Sequence, residues 1–154
     1  MLDEPEIVHT HAQRTAVIRL TVPRQEVQKV IGPGLRELMA TVAEQGITPA
    51  GPWFTHHLRN PSEVFDFEIG VPVDAVVPPS GRVMAGQRPP AIVARTVYHG
   101  GYEGLADAWG EFEGWIASAG HVSATELWEV YLAGPETSSD PASFRTQLDR
   151  PLIR

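Results

Sequence analysis

Residues 126–132, with the sequence Glu-Leu-Trp-Glu-Val-Tyr-Leu, have the composition of a β-strand with an unexpected acid, Glu129, in its interior. Side chains alternate along an extended backbone, so the odd-numbered and even-numbered residues face opposite sides. Trp128, Val130 and Leu132 form the apolar face, and Trp128 is expected to point towards the helices. The odd face places the carboxylate of Glu129 beside the phenol of Tyr131. A buried acid costs stability unless a charge or water opposes it. We therefore interpret Glu129 as facing a ligand cavity; the alternative is an edge or solvent-facing strand.

A helix precedes this strand and another strand follows it. Leu105, Trp109 and Phe112 recur at helical spacing, and Gly120 predicts a left-handed cap at the end of that helix. A β-rich run at 91–98 lies before the helix. Residues 144–152 alternate as a final strand.

The first half of the chain has the same order of elements. Apolar residues between Val27 and Val42 predict a helix, and Gly46 predicts its cap. Pro33 lies inside this helix and cannot donate a hydrogen bond, so we expect a kink or a break there. Strands are expected at 15–22, 53–58 and 64–73, with 82–87 as a short strand and 6–11 as a strand or a tail.

The chain is therefore read as a repeat of strand, helix, strand, strand, with halves at about 15–74 and 90–153. Gly46 and Gly120 are 74 residues apart (120 − 46), and Trp53 and Trp128 are 75 apart (128 − 53). On the second spacing, Phe54 corresponds to Glu129 and His56 to Tyr131.

This repeat predicts the fold class. We expect a single α+β domain over 1–154, with one curved, mainly antiparallel sheet of about eight strands. The two helices would lie on one side as a second layer. A central groove between the halves would hold the ligand, since pockets favour such interfaces.

Composition excludes several functions. The 154-residue chain has a net charge of −7 and no Cys. The acidic balance argues against direct nucleic-acid binding, which needs a concentrated basic patch. The absence of Cys excludes disulfides and thiolate chemistry and favours a cytoplasmic location. Neither a signal peptide nor a membrane-spanning run is visible.

Several short motifs, taken together, resemble the GyrI-like small-molecule-binding domain, which is also the effector-binding domain of some AraC-type and MerR-type transcription activators. The resemblance extends from about Thr15 to Leu152. The motifs that carry it are His99-Gly100-Gly101-Tyr102, Trp128-Glu129-Val130-Tyr131-Leu132, Gly51-Pro52-Trp53-Phe54, residues 66–73, Asp140-Pro141, Arg145-Thr146 and Pro151. The chain departs from the family at His57, where Tyr is frequent, and at Gly101, where Pro is common.

The resemblance implies a doubled βαββ fold that binds bulky, often cationic aromatic compounds, with a glutamate at position 129 in an aromatic pocket. It also implies an alternative, because some stand-alone members are hydrolases that open the cyclopropane of DNA-alkylating natural products. A dimer, or association with a separate regulator, is compatible with it.

The candidate ligand site follows from charge and aromaticity. A carboxylate among aromatic rings attracts a delocalised cation, and each ring face adds roughly 0.5–2 kcal/mol. The candidate ligand-binding residues are Glu129, Tyr131, Glu68, Phe54, His56, Phe67 and Trp109. In the hydrolase alternative, Glu129 or Glu68 would deprotonate water, and Tyr131 or a histidine would stabilise the developing charge.

Metal chemistry has little support in the sequence. His56 and His57 are adjacent, so in a strand they face opposite ways and cannot chelate one ion. Zinc signatures are absent. We expect neither a metal nor a cofactor; a haem-carrying module, known in proteins of related doubled architecture, is the third possibility.

Overall fold

The computed structural model describes residues 1–153, which form two helices and nine strands. The strands are β1 (Glu6–His9), β2 (Gln13–Pro23), β3 (Phe54–His57), β4 (Val64–Pro72), β5 (Met84–Arg88), β6 (Ile92–His99), β7 (Val122–Ser123), β8 (Leu127–Ala133) and β9 (Arg145–Ile153). The helices are α1 (Val27–Glu44) and α2 (Leu105–Ser118). The predicted α+β class with antiparallel strands is confirmed, and the short β7 is the strand that the sequence pattern missed.

The chain divides into two compact units. The central unit comprises residues 11–90, and the terminal unit comprises residues 1–10 together with the chain from residue 91 onward. Each unit contains one long helix and its own antiparallel strands, so each buries one sheet face under a helix.

In the central unit the strands run in the order β3-β4-β2-β5. Helix α1 packs on the face of β4 that carries Phe67 and Ile69. The approach is close, because a Cβ added at Gly34 would lie 2.8 Å from the Ile69 side chain. The opposite face of β4 carries Asp66 and Glu68, as strand alternation requires.

Helix α1 continues through Pro33, so the helix does not break there as one of the two expected outcomes required. Val27 lies before Pro33 and Leu38 after it, and both are buried in the same core. Packing on both sides of the proline therefore holds the helix together although one backbone hydrogen bond is lost. Gly46 has a φ of 70°, which confirms the predicted left-handed cap.

In the terminal unit the strands run in the order β1-β6-β9-β8, and β7 pairs with β9. Residues 6–9 are thus a strand and not a tail, since Glu6 pairs with Arg95. Helix α2 covers one sheet face, and its core includes Phe112, Leu127 and Leu148. None of the helices within residues 1–153 has the length and apolarity needed to cross a bilayer.

Candidate functional site

The carboxylate of Glu129 lies under helix α2 in the terminal unit. It accepts a hydrogen bond of 2.7 Å from the indole Nε1–H of Trp109 and another of 2.7 Å from the hydroxyl of Tyr131. Trp109 and Tyr131 are buried, while Glu129 keeps partial exposure. Three of the predicted site residues are therefore brought together.

Strand register explains why Glu129 faces the helix. Glu129 on β8 pairs with Leu148 on β9, which is fully buried in the core beneath α2. Leu127, two residues before Glu129, lies in the same core. The expectation that Trp128 faces the helices is therefore wrong: its neighbours Leu127 and Glu129 face α2, and Trp128 lies on the opposite side of the strand. The acid can occupy the helix side because the Trp109 N–H there donates a hydrogen bond to its carboxylate.

The electrostatics of this position favour a positive partner. Burial raises the pKa of Glu129 above its usual value, and the hydrogen bonds from Tyr131 and Trp109 partly oppose that rise. The carboxylate forms no ion pair within residues 1–153. A cation brought to this carboxylate would offset the cost of its burial.

Aromatic rings continue the site away from Glu129. Tyr102, in the short 3-10 helix Tyr102–Gly104, has its ring 5.9 Å from that of Tyr131 and 5.4 Å from that of Phe144. Its hydroxyl is buried without a hydrogen-bond partner. Burial, together with the charges of Glu136 and Glu129, raises the pKa of Tyr102 to about 12. This phenol therefore stays neutral at physiological pH.

Arg150 on β9 lies behind Trp109. The guanidinium carbon of Arg150 is 6.0 Å from the centroid of the Trp109 ring. Arg150 donates to a carboxylate oxygen of Glu113 at 3.1 Å and to the carbonyl oxygen of Ala124 at 3.0 Å. Burial lowers the pKa of Arg150, and the charge of Glu113 opposes that effect.

The remaining predicted residues lie in the central unit. Glu68 on β4 pairs directly with His56 on β3, and their side chains are 3.0 Å apart. Phe54 shares this face, with its ring over Gly70. The face is the one turned away from α1. Phe67 is on the helix side, where it is fully buried in the core.

A family model, the GyrI-like small molecule binding domain, matches residues 3–149. The chain belongs to the GyrI-like family. A search of the curated proteins finds no significant match.

Solved structures share this GyrI-like fold. The C-terminal domain of EcmrR is 20% identical, with a TM-score of 0.85 over 98% of both chains. In the EcmrR–DNA complex, the match covers 57% of the EcmrR chain. A hydrolase from Listeria innocua is 12% identical with a TM-score of 0.69, covering 97% of this chain and 91% of the other. SAV2435 bound to tetraphenylphosphonium is 11% identical with a TM-score of 0.67, covering 98% and 94%.

The correspondence between strands of this GyrI-like chain needs a correction. Phe54 was matched with Glu129, but Phe54 faces away from α1 whereas Glu129 faces α2. The spacing of 74 residues set by the two cap glycines instead matches Glu129 with Thr55 and Tyr131 with His57. A slip of one residue in a strand exchanges its two faces, and the paired tryptophans caused that slip.

His57 was not among the candidate ligand-binding residues, although the structure gives it an unusual environment. It is buried on the helix side of β3, stacked on Phe67 with ring centroids 5.3 Å apart and edge-on to Phe65. Its Nδ1 has no hydrogen-bond partner. Burial, reinforced by the nearby His56, lowers the pKa of His57 to about 4, so the ring is neutral at physiological pH. The sequence did offer one indication, because position 57 is where this chain has His and the family frequently has Tyr.

Tyr102 and Arg150 were also outside the candidate list. Tyr102 appeared only as part of a motif that carries the family resemblance, and Arg150 stands in an alternating strand. Their roles depend on tertiary contacts that a single sequence does not contain. Among residues 1–153, no group of three His, Asp or Glu side chains could hold a metal ion.

Proposed function

We propose that this chain binds bulky aromatic cations and that Glu129 is their counter-ion. The observation that carries the proposal is a carboxylate placed among buried aromatic side chains, held by two neutral donors and without an ion pair in the described chain. A carboxylate in that setting is a standing electrostatic cost that a cationic ligand removes.

The two donors fix the direction of the carboxylate before a ligand arrives. Trp109 and Tyr131 each bond one oxygen of Glu129, so its rotamer is set by the protein. A preorganised group loses little conformational entropy on binding. A delocalised cation also contacts ring faces, at about 0.5–2 kcal/mol for each good cation–π contact.

The neighbouring rings supply the walls of the proposed site. Tyr102, Tyr131 and Phe144 form a chain of ring contacts beside the acid. The similarity to SAV2435, which was solved bound to tetraphenylphosphonium, supports the same ligand class for this chain. Glu68, His56 and Phe54 remain a separate candidate group in the central unit, and they are tested separately below.

Calorimetric titration with tetraphenylphosphonium tests the proposal, because this probe carries a permanent charge at every pH. We expect Glu129→Gln to weaken binding by about tenfold or more, since a close charge pair in a partly buried site is worth at least about 1.4 kcal/mol. Glu111→Gln removes an exposed acid from α2 and is the matched control. Glu68→Gln tests the other candidate acid. Unchanged affinity in Glu129→Gln would refute the proposal, and a loss confined to Glu68→Gln would transfer the counter-ion role to Glu68.

A hydrolase of cyclopropanoid compounds is the second candidate, favoured by the Glu129–Tyr131 pair and by the similarity to the Listeria innocua hydrolase. In this scheme Glu129 takes a proton from water while the water oxygen attacks a ring carbon of a spirocyclopropyl dienone. The carbon–carbon bond breaks, and its electrons move into the dienone to give a phenolate that is then protonated. Tyr131 turns its O–H from Glu129 to the substrate oxygen that gains charge and donates to it there.

Absorbance separates this candidate from simple binding, because ring opening converts the dienone chromophore into a phenol. We expect turnover that Glu129→Gln abolishes and Glu111→Gln retains. A dienone that binds but is consumed only at the rate in buffer would leave binding as the function.

The similarity to the C-terminal domain of EcmrR supports a role as the ligand sensor of a regulator. The net charge of −7 argues against DNA binding by these 154 residues, so DNA contact would come from outside them. Mobility-shift assays with the isolated chain should show no DNA binding with or without tetraphenylphosphonium. A shift by the chain alone would contradict this role.

A further inference from the structure

We propose that Arg150 is a positioning residue for the cation site, acting through Trp109. Its guanidinium fixes the indole so that the Nε1–H stays directed at Glu129. This inference rests on the proposed function, and its test is chosen so that the two can fail separately.

Arg150 is held rigidly in its place. It lies on β9 with only 3% of its surface exposed. It bonds the carboxylate of Glu113 and the carbonyl of Ala124, so the guanidinium is fixed by groups on α2 and on the segment before β8. A guanidinium with several fixed bonds presents one planar face in one orientation.

Helix geometry brings Arg150 close to the indole of Trp109. Glu113 follows Trp109 by four residues on α2, so the two side chains are neighbours on one helix face. Arg150 reaches Glu113 and lies 6.0 Å from the centroid of the Trp109 ring. Phe112 contacts the ring from another side, with centroids 5.8 Å apart. The indole is thus confined, and its N–H points to Glu129.

The ion pair alone is a weak reason to bury Arg150. The Glu113 side chain is 46% exposed, which screens its charge. Arg95, in the same unit, instead meets the fully buried carboxylate of Asp149 through two bonds of 2.7 and 2.9 Å. The proximity of the Trp109 ring adds a cation–π attraction to the bonds of Arg150.

Loss of Arg150 should weaken the Trp109–Glu129 hydrogen bond without touching the ligand. The carboxylate would then lose one of its two donors, and its charged form would be less stable. Tyr131 and Tyr102 are the other titratable groups facing Glu129, while Glu113 and Arg150 lie behind Trp109. Binding of a permanent cation should therefore be weaker and should fall away at a higher pH than in the wild type.

Tetraphenylphosphonium titrations across pH test this on Arg150→Met and Arg150→Lys, with Arg145→Met as the control at an exposed position of the same strand. We expect binding at neutral pH to weaken about 3- to 10-fold in both Arg150 variants. Lys keeps the charge but not the planar face, so wild-type behaviour in Arg150→Lys would mean that charge alone acts, and would overturn the positioning role.

A double-mutant cycle identifies the route of the effect. Trp109→Phe keeps a ring but removes the N–H, so Arg150→Met should add little to it. If the two substitutions instead reduced the affinity independently, so that their fold-losses multiplied in the double variant, the inference would be overturned. The NMR signal of the Trp109 indole proton, assigned through Trp109→Phe, gives a readout without ligand: it should lie downfield and titrate with Glu129 in the wild type, and lose both properties in Arg150→Met.

The outcomes separate the two proposals. If Glu129→Gln binds tetraphenylphosphonium as tightly as the wild type, the proposed function fails, and the indole proton still decides the role of Arg150. If Glu129→Gln loses binding but the Arg150 variants keep both wild-type affinity and the wild-type indole signal, only the positioning role is overturned.

Discussion

At the scale of single residues, burial of the Glu129 carboxylate costs folding stability. Its pKa is raised from 4.5 in the folded chain, mainly by burial, so the folded state holds its proton more tightly than the unfolded state does. Between these two pKa values stability therefore falls as the pH rises. Above the folded-state pKa the full cost of the buried charge is present, and below about pH 4.5 it has disappeared.

We therefore expect Glu129→Gln to be more stable than the wild type at pH 8 without ligand, by on the order of 1 kcal/mol. The amide oxygen can still accept from Trp109, and the amide N–H can donate to the Tyr131 hydroxyl. Urea unfolding at pH 8 and at pH 4.5 measures the difference, which should shrink at the lower pH. A variant that is less stable at both pH values would show that the carboxylate contributes to the fold.

At the scale of elements, sequence periodicity predicted which segments are strands and helices but not which side each presents. The alternation along β8 was correct, yet the helix side was given to Trp128 because an aromatic residue resembles core more than an acid does. The Trp109 N–H that makes Glu129 acceptable there comes from α2, and no pattern within β8 contains it. Local sequence decides whether a segment is a helix or a strand, whereas the side of a strand that faces the core depends on its tertiary partners.

Pro33 in α1 gives the prediction at this scale. Pro33→Ala restores an N–H that can bond the carbonyl four residues earlier, so we expect stabilisation by about 1–3 kcal/mol. Gly46→Ala, at a φ of 70°, should destabilise instead and serves as the control for sign. Thermal unfolding of both variants measures the effects. A destabilised Pro33→Ala would mean that the restriction of the unfolded chain by proline outweighs the restored hydrogen bond, since Pro33 is exposed and its ring packs little.

At the scale of the whole molecule, a net charge of −7 attracts any cation, so specific binding at Glu129 must be separated from the general field. Exposed charges are screened beyond about 10 Å at 0.1 M salt, whereas a partly buried carboxylate is screened much less. Tetraphenylborate has the shape of tetraphenylphosphonium and the opposite charge, which makes the pair a direct measure of charge selectivity.

We expect the wild type to prefer tetraphenylphosphonium strongly over tetraphenylborate, and to keep most of that preference when NaCl is raised from about 0.05 to 0.5 M, because the controlling charge is close and shielded from ions. In Glu129→Gln the preference should be small at low salt and nearly absent at high salt, since only the distributed charge remains. Competition titrations at both salt concentrations measure these ratios. A wild-type preference that vanishes at 0.5 M NaCl would assign the selectivity to the acidic surface as a whole and not to the carboxylate under helix α2.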